Sequence, residues 1–138
     1  KKTLSYTVKH EVNGTVRNTF TEETKVQVLQ PDTLTRNLEK EADQKYSGYV
    51  KDTVTYENGT LVTGTSIPNG AVIVVTYKVD DSQKKTLSYT VQHKVNGTVR
   101  DTFTEETTVQ VLQPDTLTRN LEKEADQNYK GYVKSTVT

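Results

Sequence analysis

The side chains best suited to acid–base or metal chemistry are the two histidines, His10 and His93. An imidazole can act as a general base or as a metal ligand near neutral pH. The chain has no cysteine, and no cluster of carboxylates stands beside either histidine in the sequence, so each would be a poor metal site. We interpret both as half-exposed strand residues at the end of a hairpin. We predict no metal site and no bound cofactor.

Adjacent carboxylates are the second group, at Glu22-Glu23 and again at Glu105-Glu106. Successive residues of a strand point to opposite faces of a sheet, so the two members of a pair cannot readily share a proton. Asp80-Asp81 lacks the spacing of an EF-hand loop. The sequence also has no Ser/His/Asp order and no glycine-rich loop before a helix. We therefore predict no catalytic residues and a protein that is not an enzyme.

Tyrosines are the side chains that we single out as candidates to contact a ligand. A tyrosine ring has an apolar face and a polar tip, which suits stacking on a sugar or on another protein. Tyr6 and Tyr77 fall within apolar patterns and are predicted to lie in the core. Tyr49 and Tyr132 each follow a glycine and are the candidate ligand-contacting residues.

The composition excludes several classes of partner. The chain has 18 basic and 18 acidic residues and a formal net charge of zero. A nucleic-acid partner would need a positive surface, and an anionic membrane would need a basic patch. No apolar run approaches the length of a membrane-spanning helix, so we predict neither nucleic-acid binding nor membrane insertion. Hydrophobic residues make up only 31% of the chain, which is typical of small β domains with thin cores.

The main organising feature is an internal repeat. Residues 1–55 align with residues 84–138 without gaps at a constant offset of 83. Every difference exchanges one polar residue for another, and such exchanges are tolerated best at the surface, so these positions are predicted to face water. The differing pairs are Lys9/Gln92, Glu11/Lys94, Asn18/Asp101, Lys25/Thr108, Lys45/Asn128, Ser47/Lys130 and Asp52/Ser135.

Each copy begins with a pattern that predicts a β-hairpin. Apolar residues alternate with polar ones from Leu4 to Val12, as in a half-buried strand, and Asn13-Gly14 signals the turn. Placing Val16 and Phe20 on the same face as the first strand's apolar residues requires an odd loop length. We therefore predict a three-residue loop that ends in a bulge with Gly14 left-handed.

The middle of the repeat predicts a helix of about three turns, which begins after Pro31-Asp32 and ends at Gly48. Glu41 and Lys45 would form an ion pair along it. Short strands follow at 49–56 and 60–65. The helix depends on four apolar residues at i+4 spacing: Leu34, Leu38, Ala42 and Tyr46.

The stretch from Ala71 to Tyr77 is apolar at nearly every position, which indicates a strand in the middle of a sheet. Parallel neighbours need a connection of a dozen or more residues, so this strand should pair with residues 4–12 rather than with residues 87–95. The fold class predicted is α+β, a β-grasp-like mixed sheet with one helix and a central last strand. The domains predicted are a complete repeat at 1–79, a linker at 80–83 and a truncated second copy at 84–138.

Three segments, YTVKHEVNGT, GYVKDTVTYENG and IPNGAVIVVTYK, resemble the MucBP-like (mucin-binding-protein-like) repeats of Gram-positive cell-wall-anchored surface proteins. The resemblance lies in Gly48-Tyr49 and in the final-strand pattern from Asn69 to Tyr77. It covers residues 3–79 and, as far as the second copy runs, 86–138. It implies an extracellular location on the bacterial cell wall, tandem copies, and a role in host adhesion or in spacing. It transfers no ligand residues, because the matching positions look structural.

Two functions follow as expectations. The first is an elongated stalk or spacer, which contacts neighbouring repeats of the same protein and projects a binding region from the cell wall. The alternative is an adhesive repeat that binds host mucin-type glycoprotein or glycan directly, with tandem copies adding avidity. The neutral, threonine-rich surface, with no obvious pocket, favours the spacer.

Overall fold

The computed structural model describes residues 1–138 and is mostly β, with 51% of residues in strands and 6% in helices. The chain divides into two compact units, residues 1–80 and 81–138. The first unit contains strands β1 (Lys2–Val12), β2 (Thr15–Val26), β3 (Thr33–Thr35), β4 (Tyr49–Tyr56), β5 (Ser66–Pro68) and β6 (Val72–Val79), with a 3-10 helix at Leu38–Glu41.

The main sheet of the first unit has the strand order β2-β1-β6-β4. Strand β1 alternates between buried and half-buried residues from Leu4 to Val12, as its sequence predicts. Its buried side chains join those of β6 in one apolar cluster that includes Tyr6, Val8 and Val75. The thin core therefore lies on one face of this sheet.

Strand β6 occupies the predicted central position. It pairs in parallel with β1 over six residue pairs, from Thr7↔Val72 to Val12↔Tyr77, and antiparallel with β4. Ile73, Val75 and Tyr77 are buried, while the intervening residues are half-buried. The prediction that this segment lies beside the first strand of its own repeat is confirmed.

The turn between β1 and β2 corrects one prediction. Val12 pairs directly with Thr15, so the loop has two residues, Asn13 and Gly14, both with positive φ. The extra residue lies further along the hairpin, within β2, because the pairing register shifts between His10 and Glu11. A bulge in β2 therefore changes the face to which the later residues of β2 point, as a three-residue loop was expected to do. It brings Phe20 opposite Val8 but leaves Val16 on the outer face.

The predicted helix is absent, and the α+β fold class is wrong. Of the segment after Pro31, residues Thr33–Thr35 form β3, which pairs with β5, and only Leu38–Glu41 form a single 3-10 turn. Of the expected stripe, Leu34 is buried within β3, but Leu38 is exposed and Ala42 is exposed as well. The four residues therefore share no face.

The helix does not form because other groups bind the backbone amides and carbonyls that a helix would bond to one another. Core side chains accept or donate hydrogen bonds at three peptide groups of this segment: Tyr6 Oη accepts from the Asn37 amide, His10 bonds the Lys40 carbonyl, and Tyr77 Oη accepts from the Gln44 amide. Asn37 and Asp43 also accept from amides two residues further on. Such local bonds compete with helical ones. The segment folds as an irregular cover in which these peptide groups are bonded by side chains instead of by helical neighbours.

The second unit contains strands β7 (Lys84–Val95) and β8 (Thr98–Gln110) and a 3-10 helix at Leu121–Glu124. Strands β7 and β8 form a two-stranded sheet with the same turn and the same register shift as the first hairpin. Residues 132–138, which correspond to 49–55 in β4, form no strand. The side chains of β7 that match the buried ones of β1 are half-exposed instead.

The seven positions at which the copies differ were predicted to face water. Each is exposed or half-buried in both copies, and none is buried. This prediction is confirmed.

Candidate functional site

A buried polar cluster of the first unit surrounds His10. Its Nε2 lies 2.8 Å from the Lys40 carbonyl oxygen, and its Nδ1 lies 2.7 Å from Tyr77 Oη. A carbonyl can only accept, so Nε2 carries a proton, and in the neutral ring Nδ1 accepts from the Tyr77 hydroxyl. The same hydroxyl accepts from the Gln44 amide at 3.0 Å. The chain of bonds ties β1, β6 and the 37–48 segment together.

His10 is 0% exposed, so the expectation of a half-exposed residue is wrong. Both ring nitrogens are engaged, and the ring lies edge-on to Phe20 with centroids 5.4 Å apart. An imidazole with both nitrogens bonded in this way has no lone pair left for a metal or a substrate. Its geometry is that of a packing residue with two fixed partners.

A buried ion pair forms a second cluster that sequence reasoning missed. Arg36 Nε and Nη2 donate to the two oxygens of Glu41 at 2.7 and 2.6 Å, and the Glu41 side chain is 1% exposed. The hydrogen bond that Arg36 donates to Glu41 raises the pKa of Arg36 above its ordinary value. Glu41 was expected to pair with Lys45 along a helix, and that expectation is wrong. The available signal was the Arg-to-Glu spacing of five residues, which recurs in the second copy.

The corresponding pair of the second unit is Arg119 and Glu124. The Arg119 guanidinium donates to both carboxylate oxygens, with Nε 2.6 Å from Oε2. This hydrogen bond lowers the pKa of Glu124 and raises that of Arg119. The arginine side chain is 64% exposed here, against 17% in the first unit. The arginine of this contact is therefore much more exposed to solvent than its counterpart in the first unit.

The adjacent carboxylates do not converge. Glu22 faces the core side, where Asn37 Nδ2 donates to it at 2.7 Å, while Glu23 is exposed. Glu105 receives the equivalent bond from Asn120 at 2.5 Å. Across residues 1–138, no group of three or more His, Cys, Asp or Glu side chains is placed to hold a metal ion. Asp80 and Asp81 belong to no such group.

The two candidate ligand-contacting tyrosines have different surroundings. Tyr49 is half-buried against the apolar cluster of the first unit, and its hydroxyl accepts from Asn13 Nδ2 at 3.0 Å. Tyr132 is 54% exposed, and its hydroxyl accepts from Asn96 Nδ2 at 3.2 Å. Both therefore fasten a hairpin turn, and only Tyr132 presents most of its ring to solvent.

A further tyrosine site was not predicted. The Arg17 guanidinium lies 4.8 Å from the centre of the Tyr46 ring, and the Tyr46 hydroxyl donates to Asn18. Burial raises the pKa of this tyrosine. The second unit repeats both contacts with Arg100, Tyr129 and Asp101. The Asn18/Asp101 exchange therefore keeps the acceptor that the tyrosine hydroxyl needs.

The second unit contains an open groove of about 590 Å³. One wall is formed by Thr90–Val95 of β7, and the other includes residues 132–138, which contain the exposed Val133 and Val137. The β7 wall corresponds to Thr7–Val12, the part of β1 that pairs with β6 in the first unit. The groove therefore lies where the first unit has its central strand.

Comparisons with protein-family models, with curated proteins and with solved structures found no match to this chain. Neither of its helices is long and apolar enough to cross a membrane.

Proposed function

We propose that this chain is a tandem repeat module of a bacterial surface protein and acts as a spacer that projects a binding region from the cell wall. The observation that carries the proposal is the recurrence of one set of contacts in both copies. In each copy a histidine ring nitrogen donates to a loop carbonyl, an arginine donates to both oxygens of a glutamate, and a tyrosine hydroxyl accepts from a loop amide. The paired bonds are His10–Lys40 and His93–Lys123, Arg36–Glu41 and Arg119–Glu124, and Tyr6–Asn37 and Tyr89–Asn120.

In the first unit these side chains face inward and hold the fold together. The changes between copies are confined to polar positions that are not buried. Internal bonds that recur while only surface positions vary fit a module whose work is structural. The resemblance to MucBP-like repeats supports the same assignment and an expected location on a Gram-positive cell wall.

The strand order of the first unit also suits a module under tension. Strand β1 leads from the N-terminal end of the unit and β6 leads to its C-terminal end, and the two are adjacent and parallel. Tension along the chain pulls two such strands in opposite directions along their length. The bonds of all six residue pairs are then loaded together in shear, whereas strands pulled from one shared end separate one bond at a time.

Single-molecule pulling tests this role. The chain has no cysteine, so paired cysteines can be introduced as attachment points. Lys1→Cys with Asp81→Cys loads β1 and β6 in shear. Thr15→Cys with Asp81→Cys is the matched control, because Thr15 lies opposite Val12 at the end of β1 that neighbours Tyr77, and this pair peels the strands apart.

The first unit is expected to unfold at a clearly higher force in the shear geometry than in the peeling geometry. Equal forces would contradict a load-bearing role. Saturable binding of the intact chain to immobilised mucin, lost in Tyr49→Ala, would support the adhesive alternative.

A further inference from the structure

Four asparagines of the chain are each followed by a glycine. Glycine has no side chain to crowd its own peptide nitrogen, so this nitrogen can attack the side-chain carbonyl of the asparagine before it and close a succinimide ring. All four pairs are exposed to solvent, and what distinguishes them is the hydrogen bonding of the atoms that would react. The pairs are Asn13-Gly14, Asn58-Gly59, Asn69-Gly70 and Asn96-Gly97.

The Asn69-Gly70 pair is held at both of its reacting groups. The Gly70 amide donates to the Ser5 carbonyl at 2.7 Å, and Asn69 Oδ1 accepts from the Ser5 amide at 2.8 Å. The Asn69 amide also donates to the Asp32 carbonyl at 2.9 Å. Ring closure turns the glycine nitrogen toward the asparagine side chain, so these bonds would have to break first. The fold therefore protects this pair.

The Asn58-Gly59 pair is held in a similar way by fewer bonds. The Gly59 amide donates to the Tyr56 carbonyl at 2.9 Å, and Asn58 Oδ1 accepts from the Thr60 amide at 3.0 Å. Both bonds lie within a single turn, whereas those of the preceding pair join segments that are distant in sequence. This pair is therefore protected as well, but less strongly.

The Asn13-Gly14 pair, in the turn between β1 and β2, is not held at the nitrogen that would attack. Both residues have positive φ, and the Gly14 amide forms no hydrogen bond across the turn. A carbon atom added at Gly14 would meet nothing within 4 Å, so the nitrogen is neither bonded nor crowded. The Asn13 side chain is bonded through the nitrogen that would leave, because its Nδ2 donates to the Tyr49 hydroxyl at 3.0 Å.

The Tyr49 hydroxyl lies where the leaving group needs a proton donor. An amide nitrogen such as Asn13 Nδ2 can only donate, whereas a hydroxyl both donates and accepts. Once the Gly14 nitrogen has added to the side-chain carbonyl, Nδ2 becomes an amine nitrogen, which accepts a proton. General acids act over separations of about 2.6–3.2 Å, and the contact between Nδ2 and the hydroxyl satisfies this condition. The tyrosine ring is held in place against the apolar cluster.

We propose that Asn13 is a self-modification site at which the chain deamidates its own turn. The Gly14 amide nitrogen forms a bond to Asn13 Cγ, and the Cγ–Nδ2 bond breaks as the Tyr49 hydroxyl protonates Nδ2, so ammonia leaves. The proton that the glycine nitrogen loses returns through water to the tyrosine oxygen. Water then opens the succinimide at either carbonyl and leaves aspartate or isoaspartate. The reaction consumes one water and involves no oxidation or reduction.

The hairpin of the second unit repeats the arrangement. Asn96 has a φ of 53°, its Nδ2 donates to the Tyr132 hydroxyl at 3.2 Å, and the Gly97 amide forms no hydrogen bond across the turn. The same reaction is therefore assigned to Asn96, with Tyr132 as the proton donor. Each event replaces a neutral amide with a carboxylate at a hairpin turn. The inference does not depend on the spacer role, because it follows from the geometry of the turns alone.

The test follows the intact chain during incubation in mildly alkaline buffer at body temperature. Peptide mapping by mass spectrometry measures the conversion of each of the four asparagines, and released ammonia is assayed in parallel. Chromatography separates aspartate from isoaspartate peptides, because direct hydrolysis of the side chain yields aspartate alone, whereas a succinimide yields both. The same chain in concentrated urea is the matched control for the effect of the fold.

In the folded chain Asn13 and Asn96 are expected to react at similar rates. Asn58 should react roughly 30-fold and Asn69 roughly 100-fold more slowly than Asn13, because two and three hydrogen bonds respectively must break before ring closure. In urea, where these bonds are absent, the four rates should converge. Both isoaspartate and aspartate should form.

Tyr49→Phe keeps the ring and removes the proton donor, so it should slow the reaction of Asn13 at least about 10-fold and leave Asn96 unchanged. Tyr132→Phe should have the converse effect. A hydroxyl that only restrained the Asn13 side chain would give the opposite sign, because its removal would free the side chain and speed the reaction.

Three results would overturn the proposal. The first is no conversion of Asn13 in the folded chain over a period in which the chain in urea reacts, or conversion no faster than that of Asn58 and Asn69. The second is formation of aspartate without isoaspartate, which would exclude attack by the glycine nitrogen. The third is an unchanged or faster reaction of Asn13 in Tyr49→Phe, which would exclude the hydroxyl as the proton donor.

Discussion

The hydroxyl of Tyr77 offers the sharpest test of how the first unit is held together. In Tyr77→Phe the ring stays in the apolar cluster, while two bonds vanish together. Those bonds run from the hydroxyl to His10 Nδ1 at 2.7 Å and from the Gln44 amide to the hydroxyl at 3.0 Å. The His10 bond is buried and the Gln44 bond is half-buried. No water can easily replace the hydroxyl at the fully buried imidazole.

The expected cost follows from the groups left behind. A buried donor or acceptor without a partner costs about 1–3 kcal/mol. His10 Nδ1 should contribute fully and the Gln44 amide in part, so Tyr77→Phe should destabilise the first unit by about 3 kcal/mol. Tyr49→Phe is the matched control. It removes a hydroxyl whose bond to Asn13 is exposed, and its cost should stay within about 0.5 kcal/mol.

Native-state hydrogen exchange measures this cost in one unit at a time, because the amides of β1 and β6 report the opening of the first sheet. Exchange of the Val8 and Val75 amides should accelerate roughly 100-fold in Tyr77→Phe and barely change in Tyr49→Phe. Equal effects of the two variants would refute the idea that the His10–Tyr77 bond is a main support of the fold.

Three further predictions concern charge, pH and the central strand. Glu41→Gln leaves Arg36 without its counter-charge, and the loss should be on the order of 3 kcal/mol in urea unfolding, whereas Glu124→Gln should cost less because its arginine is mostly exposed. Burial raises the pKa of Tyr6 above its ordinary value of about 10. Its contribution to stability is therefore complete below about pH 10 and is lost as pH rises through the raised folded-state value, so tyrosinate absorbance should appear together with unfolding of the first unit. Val75→Asp should remove protection from β6 and β4 together while the β1–β2 hairpin keeps the protection seen in β7–β8, and independent loss of β6 alone would contradict this.

Much of the sheet could be predicted because its signals are local and periodic. The alternation in β1 and the continuous apolar run of β6 each follow from which faces are buried. The parallel pairing of these strands followed from the connection length that such a pair requires. The bulge at Arg17 was not predicted, but the sequence did require one extra residue in the turn or in β2 to bring Phe20 onto the buried face.

The segment from Pro31 to Gly48 could not be predicted in this way. Its i+4 spacing of apolar residues is a real helical signal, but the helix would need the amide of Gln44 and the carbonyl of Lys40 for its own bonds. Tyr77 and His10 bind those groups from strands that are distant in sequence. The burial of His10 and the pairing of Arg36 with Glu41 are consequences of the same irregular cover.

The repeated sequence separates what is local from what is not. Residues 49–55 and 132–138 are alike except at one polar position, yet the first belongs to a strand and the second does not. The hairpins, their turns and the tyrosine-to-loop bonds form in both units, because the residues that make them lie within each copy. The sequence alone therefore determined the repeat, the hairpin and the central character of β6. Only the tertiary structure decided whether residues 49–55 form a strand and where the loop's peptide groups are bonded, since a strand is stable only when a neighbouring strand satisfies its backbone.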